Sequence, residues 1–492
     1  MTARRALVTG ATGYIGSRLV PALLREGWTV RVLTRDGSKL ADRDWADRVE
    51  VSEGNADDAD DLAAAMADVD VAYYFIHSMD GKPGWVERDR NLAQHFARIA
   101  AEQHVGRIVY LSGLYPPDEE LSTHLGSRKE VEDIFLSSPV PTVVLRAAVI
   151  LGAGSASFEM LRHLTERLPV MIAPRWLDTR IQPIAIADVV RYLVGVADLP
   201  PEVNRGFDIG GEEVLTYRQM IGRYAAQSHL VKRRVRTVPV MTPGLASHWV
   251  GLVTPVPAGI AKPLVGSLIH EVVCKEHDIA DYVPDPEGGF VSFDAAVLEA
   301  QEGPQARPLR REVDIDHPGH ISAADPEWAG ATVFHDRHRS TVDAPPEAVW
   351  SHVEQVGGEH GWHVPDIVWR ARGVLDRAVG GQGHVRHRDP GPLEVGMQVD
   401  SWVVAYVRRD EDGGEVALRS QMRVPGEALL ILRVEPGPRP GTATLTQTAR
   451  FTPSGLAGLA YWGGLWPAHT AAFLAMHRGL AHAAESGAGA RA

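Results

Sequence analysis

The run Thr9-Gly10-Ala11-Thr12-Gly13-Tyr14-Ile15-Gly16 constrains the fold more than any other part of the chain. It follows the β-rich residues Ala6 to Val8 and leads into Ile15, Leu19, Val20, Leu23 and Leu24, which recur at helical spacing. A strand that turns at once into a helix needs tight, closely packed backbone, and glycine has no Cβ to obstruct it. The first amides of such a helix lack intrahelical partners and sit at the positive end of its dipole, an arrangement suited to a pyrophosphate. A glycine triplet alone is also compatible with a plain turn. Its place after a strand, before an amphipathic helix and within a βαβ unit, points to a nucleotide.

The pattern downstream agrees. Thr29 to Leu33, Val49 to Ser52, Val71 to Ile76, Arg107 to Leu111 and Thr142 to Leu145 read as strands, several of them nearly unbroken apolar runs suited to burial on both faces. Helices marked by Leu92, Phe96, Ile99 and Ala100, and by Val131, Ile134 and Phe135, alternate with them. This order predicts an α/β class with a doubly wound parallel Rossmann sheet. From about Glu159 to Ala300 the pattern is looser and broken by prolines, with a returning strand at Gly206 to Ile209, as expected of an extended substrate lobe. The first domain is thus read as residues 1–300. Residues 301–331 are polar and interrupted by Pro304, Pro308, Pro318 and Pro326, which marks a linker. Beyond it, Phe334 to Val342, Ser401 to Val407, Glu415 to Met422, Leu429 to Val434 and Ala443 to Phe451 are strand-like. A helix begins near Ala344-Pro345-Pro346-Glu347, and Pro467 is expected in the first turn of a closing helix that carries Phe473, Leu474, His477 and Leu480. This predicts a separate α+β domain over 332–486, with 487–492 a disordered tail. At roughly 150 residues per domain the length suggests about three domains; the extended first unit reduces that to two.

Composition narrows the partners. With 63 acidic against 50 basic side chains the net charge is −13, which argues against nucleic acid. The basic run Lys232, Arg233, Arg234 and Arg236 reads as a solvated surface turn. The single cysteine, Cys274, excludes a disulfide within the chain and fits a cytoplasmic location. Ala6 to Val8 is too short for a signal-peptide core. Two stretches free of Asp, Glu, Lys and Arg, Thr237 to Ala261 and Phe451 to His477, are cut by proline and glycine and read as buried or pocket-lining, not membrane-spanning. Trp249 and the Tyr461-Trp462 pair are the places for any peripheral membrane contact. His360, His363, His384 and His387 repeat an HxxH spacing and His469 follows, but their turn-rich, arginine-bearing surroundings predict no metal site.

Cofactor choice is read at the end of the second strand. Arg35 lies 19 positions after Gly16, where an arginine accommodates the 2′-phosphate of NADP; the adjacent Asp36 leaves NAD open. Together these features resemble the extended and atypical short-chain dehydrogenase/reductases, including NmrA-like proteins. Further residues carry the resemblance over about 5–300: Gly54-Asn55-Ala56, Tyr74-Phe75-Ile76-His77-Ser78, Val144-Leu145-Arg146 with Ile150-Leu151-Gly152, and Ile181-Gln182-Pro183-Ile184 with Asp188-Val189-Val190. The resemblance implies that Thr9, Gly10, Ala11, Thr12, Gly13, Tyr14, Ile15, Gly16, Arg35, Asn55, Ala56, Ile76, His77, Ser112 and Arg128 contact the cofactor.

The catalytic pattern departs from that family. Where it carries a Tyr and, four residues on, a Lys, this chain has His124 and Arg128; Lys129 is one position off, and Leu114 stands near the usual serine. Three readings stay open: His124 as a substitute acid, which an ordinary pKa near 6.5 permits; a dinucleotide site that does not turn over; or a helix-surface histidine. His77 and Tyr115 are alternative donors or structural residues. The expected function is NADP(H)-dependent hydride transfer with a small apolar carbonyl, enone or quinone-like substrate. The alternative is a noncatalytic NADP(H)-sensing regulator or assembly factor. The C-terminal part resembles a bacterial domain family of unknown function with a START-like helix-grip shape, on the strength of Ala344 to Trp350, Gly380 to Gly383, Asp400-Ser401-Trp402, Pro425-Gly426 and Gly455 to His469. That shape implies a pocket for a hydrophobic ligand, unless Trp402, Trp462, Trp466 and Phe473 simply fill a core. Neither substrate nor oligomeric state follows from the sequence.

Overall fold

The computed structural model describes residues 4–40, 43–78, 84–117, 119–238, 250–251, 253–302, 318–321, 325–326, 328–330, 332–364, 373, 377, 383, 386–410 and 412–489. Trp249, His384, Gly380 to Gln382 and most of the expected linker lie outside them. The chain divides into two compact units: one holds the described residues to 302 with those of 318–330, the other those from 332 onward.

In the first unit, β1 (Arg5–Thr9), β2 (Thr29–Thr34), β3 (Glu50–Glu53), β4 (Val71–Tyr74), β5 (Arg107–Gly113), β6 (Thr142–Ala147) and β7 (Arg205–Ile209) form a parallel sheet in the order β3-β2-β1-β4-β5-β6-β7. This is the doubly wound order, whose direction reverses between β1 and β4 and leaves a crevice there. Helices α1 (Tyr14–Arg25), α2 (Ala59–Met66), α3 (Trp85–Glu102), α4 (Thr123–Leu136), α5 (Ala156–Arg167) and α6 (Ile186–Gly195) follow in turn. Leu19, Leu23, Val189 and Leu193 bury one face of the sheet; Leu62, Leu92, Phe96 and Phe135 bury the other. Alternating apolar side chains on strands that are covered twice explain the unbroken runs in the sequence.

The substrate lobe adds α7 (Tyr217–Gln227), α8 (Ala258–Ser267) and α9 (Phe293–Glu302), and three two-stranded pairs. One of these sets Val170–Pro174 parallel to Arg234–Val238. Among the described residues no helix is long and apolar enough to cross a membrane.

Part of the segment expected as linker packs on the first unit, and Arg18 holds it there. This arginine, 2% exposed, donates to the carbonyls of Pro318 (2.7 Å), Ala153 (3.0 Å) and His320 (3.1 Å) and to both carboxylate oxygens of Asp325. Its guanidinium also lies 4.1 Å from the centre of the Tyr14 ring.

The second unit is an antiparallel sheet of β8 (Phe334–Val342), β9 (Gln398–Val399), β10 (Trp402–Asp410), β11 (Gly413–Ser420), β12 (Gly426–Pro436) and β13 (Ala443–Pro453), with β8 beside β13. Helices α10 (Pro346–Glu354) and α11 (Gly455–Gly489) accompany it. The start expected for the last helix is corrected: α11 begins twelve residues before Pro467, which sits inside it. A proline ring crowds the carbonyl four residues back; here that residue is Gly463, followed by Gly464, and a Cβ at either would meet open space. Trp350, Trp362, Trp402 and Phe473 are buried in one core, Trp462 stacks on Phe334 and Phe451, and Trp466 is largely exposed.

Removing one partner of a buried, multiply bonded ion pair leaves the other charge uncompensated, at a cost of about 3–5 kcal/mol. Arg18→Met is therefore expected to lower the first unit's unfolding free energy by about that amount and to expose Pro318 to Asp325 to protease. Denaturant titration with limited proteolysis checks this, and a loss below about 1 kcal/mol would contradict it.

Candidate functional site

The crevice is built where β1 and β4 end. Thr9 is fully buried; its hydroxyl donates to the carbonyl of Tyr73 (2.9 Å) and accepts from the amide of Phe75 (3.2 Å), tying the end of one strand to the continuation of the other. Gly10 then takes φ +69°, and a Cβ there would lie 2.8 Å from the Phe75 carbonyl oxygen. A Cβ on Gly16 would lie 2.5 Å from the Gly10 oxygen. Both positions therefore exclude every other residue unless backbone moves. Ala11 and Gly16 are buried, Tyr14 and Ile15 half-buried, and Thr12 and Gly13 open to solvent.

Gly13 caps α1 without a side-chain bond, and the first turn carries no acidic residue, so its leading amides face an anion uncontested. Buried Arg43 donates to the Thr12 carbonyl (3.3 Å) and brings a positive charge behind the turn. These features fit a dinucleotide pyrophosphate. At the end of β2, Arg35 is exposed. Asp36 instead turns back to accept from the Ser38 amide (3.1 Å) and hydroxyl, bonds that hold its carboxyl below the usual range. Past β3, Asn55 is exposed and its amide donates to Asp61 (2.9 Å), while Ala56 is buried.

His77, Ser112, His124 and Arg128 belong to the other half of the crevice. Arg128 is buried and donates to the Tyr110 hydroxyl (3.4 Å), with the charge of buried Asp89 acting on it. Asp89 itself accepts from the Ser78 amide (2.6 Å). Ser112 is buried at the end of β5, and Ile76 is half-buried. His124 is 9% exposed, and burial, the Arg128 charge and His77 push its pKa down to about 3. His77 is exposed, and the protein around its ring and the Arg128 charge hold its pKa below the ordinary value. An ordinary pKa for His124 is thereby corrected: at neutral pH it is a neutral imidazole, able to donate or accept a hydrogen bond but not charged. Tyr115 lies elsewhere, 5.4 Å from the Arg146 guanidinium, with its hydroxyl pushed up to about 12.

Three residues of this region, Pro263, Ser267 and His270, have no signal in the sequence because they come from far along the chain. Nδ1 of His124 is 3.0 Å from the hydroxyl of Ser267, the last residue of α8. That hydroxyl also meets Ser122 Oγ and the Pro263 carbonyl, each at 3.1 Å. His270 accepts the Ser122 amide on Nε2 (3.2 Å), which leaves Nδ1–H to donate to Glu119 (2.8 Å). Helix α8 is thus pinned to the start of α4, and its Val265, with Leu268 just beyond, lines an apolar cavity together with Met160, Leu164, Trp176 and Ile221. Among the described residues no three His, Cys, Asp or Glu side chains gather as a metal site.

Comparison with known proteins supports the geometry. Residues 10–136 match a family described as NAD(P)H-binding, and residues 328–476 match a protein family of unknown function, DUF2867. A ceramide reductase of Caulobacter vibrioides is 32% identical over 206 residues, 39% of this chain and 61% of that one, so the chain spans about three fifths of its curated relative. Among solved structures, an NADPH-dependent quinone oxidoreductase of Escherichia coli with NADPH bound is 17% identical, with a TM-score of 0.48 over 60% of this chain and 98% of the other. A Citrobacter triphenylmethane reductase with NADP(H) gives 17%, 0.48, 60% and 99%. The START-like likeness of the C-terminal part finds no further support beyond the family of unknown function.

Two outcomes follow. Gly10→Ala should weaken dinucleotide binding at least tenfold while circular dichroism stays native, because a left-handed Ala costs about 1–2 kcal/mol before its contact with Phe75 is counted. His124 and His163, both buried with pKa pushed to about 3, are neutral when folded, whereas the unfolded chain protonates them near 6.5. The unfolded state therefore binds more protons between those values. Stability should fall as pH drops below about 6.5, by up to about 1.4 kcal/mol per pH unit per histidine. Denaturation between pH 7 and 5 checks this, and His124→Gln should flatten the slope.

Proposed function

We propose, from the premise that the first unit is an NAD(P)H-binding Rossmann domain, that the protein is an NADP(H)-dependent reductase of an apolar carbonyl compound with an aliphatic chain. The observation that carries this reading is the bond from His124 to Ser267, because it joins the residue proposed as proton donor to the helix that walls the apolar cavity. A chain lying against Met160, Leu164 and Ile221 would bring its carbonyl toward His124. Ceramide, after which the Caulobacter relative is named, is itself a lipid with long aliphatic chains.

NADPH supplies the hydride when bound. Arg35 would hold its 2′-phosphate, with the competing carboxylate of Asp36 engaged by Ser38. The chain's own part is to manage the carbonyl oxygen. Ser267 has one hydroxyl proton, and when it points to Nδ1 of His124 the imidazole carries its proton on Nε2. Nε2–H then donates to the carbonyl oxygen as a neutral electrophile, a role a depressed pKa favours. As negative charge develops on oxygen, the Nε2 proton passes to it, the Ser267 proton passes to Nδ1, the Ser122 hydroxyl resupplies Ser267, and partly exposed Ser122 takes the replacing proton from solvent. The product is the alcohol, and no imidazolium forms at any stage.

A second reading, a noncatalytic NADP(H)-sensing protein, is favoured by Arg128. Its guanidinium donates to the Tyr110 hydroxyl and feels the charge of Asp89, at the position where the short-chain dehydrogenase/reductases that the chain resembles carry the lysine of their acid pair.

One experiment decides between them. NADPH oxidation with a homologous series of aliphatic ketones should show kcat/KM rising about fourfold per added methylene until the cavity is filled, since each buried methylene contributes about 0.8 kcal/mol. His124→Ala should cut kcat by about 100-fold or more with NADPH affinity nearly unchanged. Wild type at background with every ketone, while NADPH still binds, selects the sensing protein instead. Arg35→Ala should weaken NADP at least tenfold and leave NAD binding as it was; an equal loss for both would remove Arg35 from the site.

A further inference from the structure

The basic run read from sequence as a solvated turn lies on a face with a different composition. In the ribbon formed by Val170–Pro174 and Arg234–Val238, Arg234 stands beside Val170 and Arg236 beside Ile172. Val170 and Ile172 are 59% and 57% exposed, and both arginines are exposed, while Met171 and Ala173 turn into the core. Because paired residues of neighbouring strands point to the same side, the outer face carries two β-branched apolar side chains interleaved with two guanidinium groups. Val231, 73% exposed, and Lys232 precede it. Arg233 is the exception, held inward by a bond to the Thr165 carbonyl (2.6 Å).

No ion-pair partner stands against Lys232, Arg234 or Arg236 among the described residues, although the chain as a whole carries a net charge of −13. Three cations with no ion pair among the described residues, beside three exposed branched side chains, have complementarity for an anionic, partly apolar surface. Ile172 also lines the apolar cavity, so this face borders the cavity's mouth.

We propose that this face docks the protein on an anionic lipid bilayer. Val170, Ile172 and Val231 enter the boundary between headgroups and acyl chains, Lys232, Arg234 and Arg236 meet the lipid phosphates, and an aliphatic substrate passes from the bilayer into the cavity. The last step rests on the reductase reading; the docking itself does not. Each basic residue near an anionic membrane strengthens binding about fivefold, so three distinguish an anionic from a neutral bilayer by about 100-fold at low salt.

The test is cosedimentation of the full chain with mixed phosphatidylcholine–phosphatidylglycerol vesicles and with phosphatidylcholine alone. Binding to the mixed vesicles should be at least tenfold tighter and weaken with added salt. R234E/R236E should lose it by at least about 25-fold while keeping NADPH binding and a native circular dichroism spectrum, and R234K/R236K should retain it. Equal binding to both vesicles, or undiminished binding by R234E/R236E, overturns the proposal. So does self-association without lipid that R234E/R236E abolishes, which would give the face to a second copy of the chain. Ketone turnover without vesicle binding overturns the docking and leaves the reductase reading standing; vesicle binding without turnover supports the docking and removes that reading.

Discussion

The first unit depends on how closely its backbone closes around Gly10. That residue is squeezed between the Phe75 carbonyl and Gly16, with Thr9 bonded across the same gap to Tyr73 and Phe75. The contact fixes the end of β1 against the continuation of β4, where the sheet's order reverses. It also sets the direction in which α1 leaves and hence where its unpaired amides point. A side chain at either glycine would displace backbone rather than a flexible neighbour, so the anion site and the crevice are consequences of one steric condition.

The other side of the crevice is governed by desolvation. Burial among Arg128, His77 and the α4–α8 contact deprives His124 of its charged form, and the same contact brings a hydroxyl to its Nδ1. A histidine that is charged at neutral pH would sit beside Arg128 with no carboxylate bonded to it, which such a dry site disfavours. The chemistry open to it is therefore hydrogen-bond donation and proton relay through Ser267 and Ser122. His270 and Glu119 contribute by fixing the Ser122 amide, a positioning role, since both nitrogens of His270 are already engaged.

How much of this is legible in the sequence follows from the range of the interactions. The glycine turn, the apolar strands and Arg35 are local patterns, and the sheet order they imply is the one found. The strand Phe334–Val342 matches its expected bounds. The last helix defeats a local reading because Pro467 has the signature of a helix start, yet it lies inside a helix that begins twelve residues earlier. The Ser267 contact joins residues 143 positions apart, and Arg18 reaches Asp325 across 307, so no window of sequence contains either. Burial of His124 likewise depends on α8, and an imidazole on an isolated α4 would read as an ordinary surface group.

Charge placement separates structural from functional residues in both units. Arg18 in the first unit and Asp400 in the second are buried and saturated. Asp400 accepts from the Trp362 indole (2.7 Å) and from the amides of His387 (2.9 Å) and Gly358 (3.2 Å), and so holds irregular segments as Arg18 does. Taking such a charge out of water is unfavourable unless every direction is satisfied, and a satisfied charge has nothing left to offer a ligand. Arg35, Arg234 and Arg236 are the opposite case: exposed, placed beside a crevice or a cavity mouth, and without an ion-pair partner among the described residues. In an acidic chain a nearby carboxylate is easily supplied, and an arginine left without one stays available to an anion from outside, which is what the proposed cofactor-phosphate and lipid-headgroup roles require.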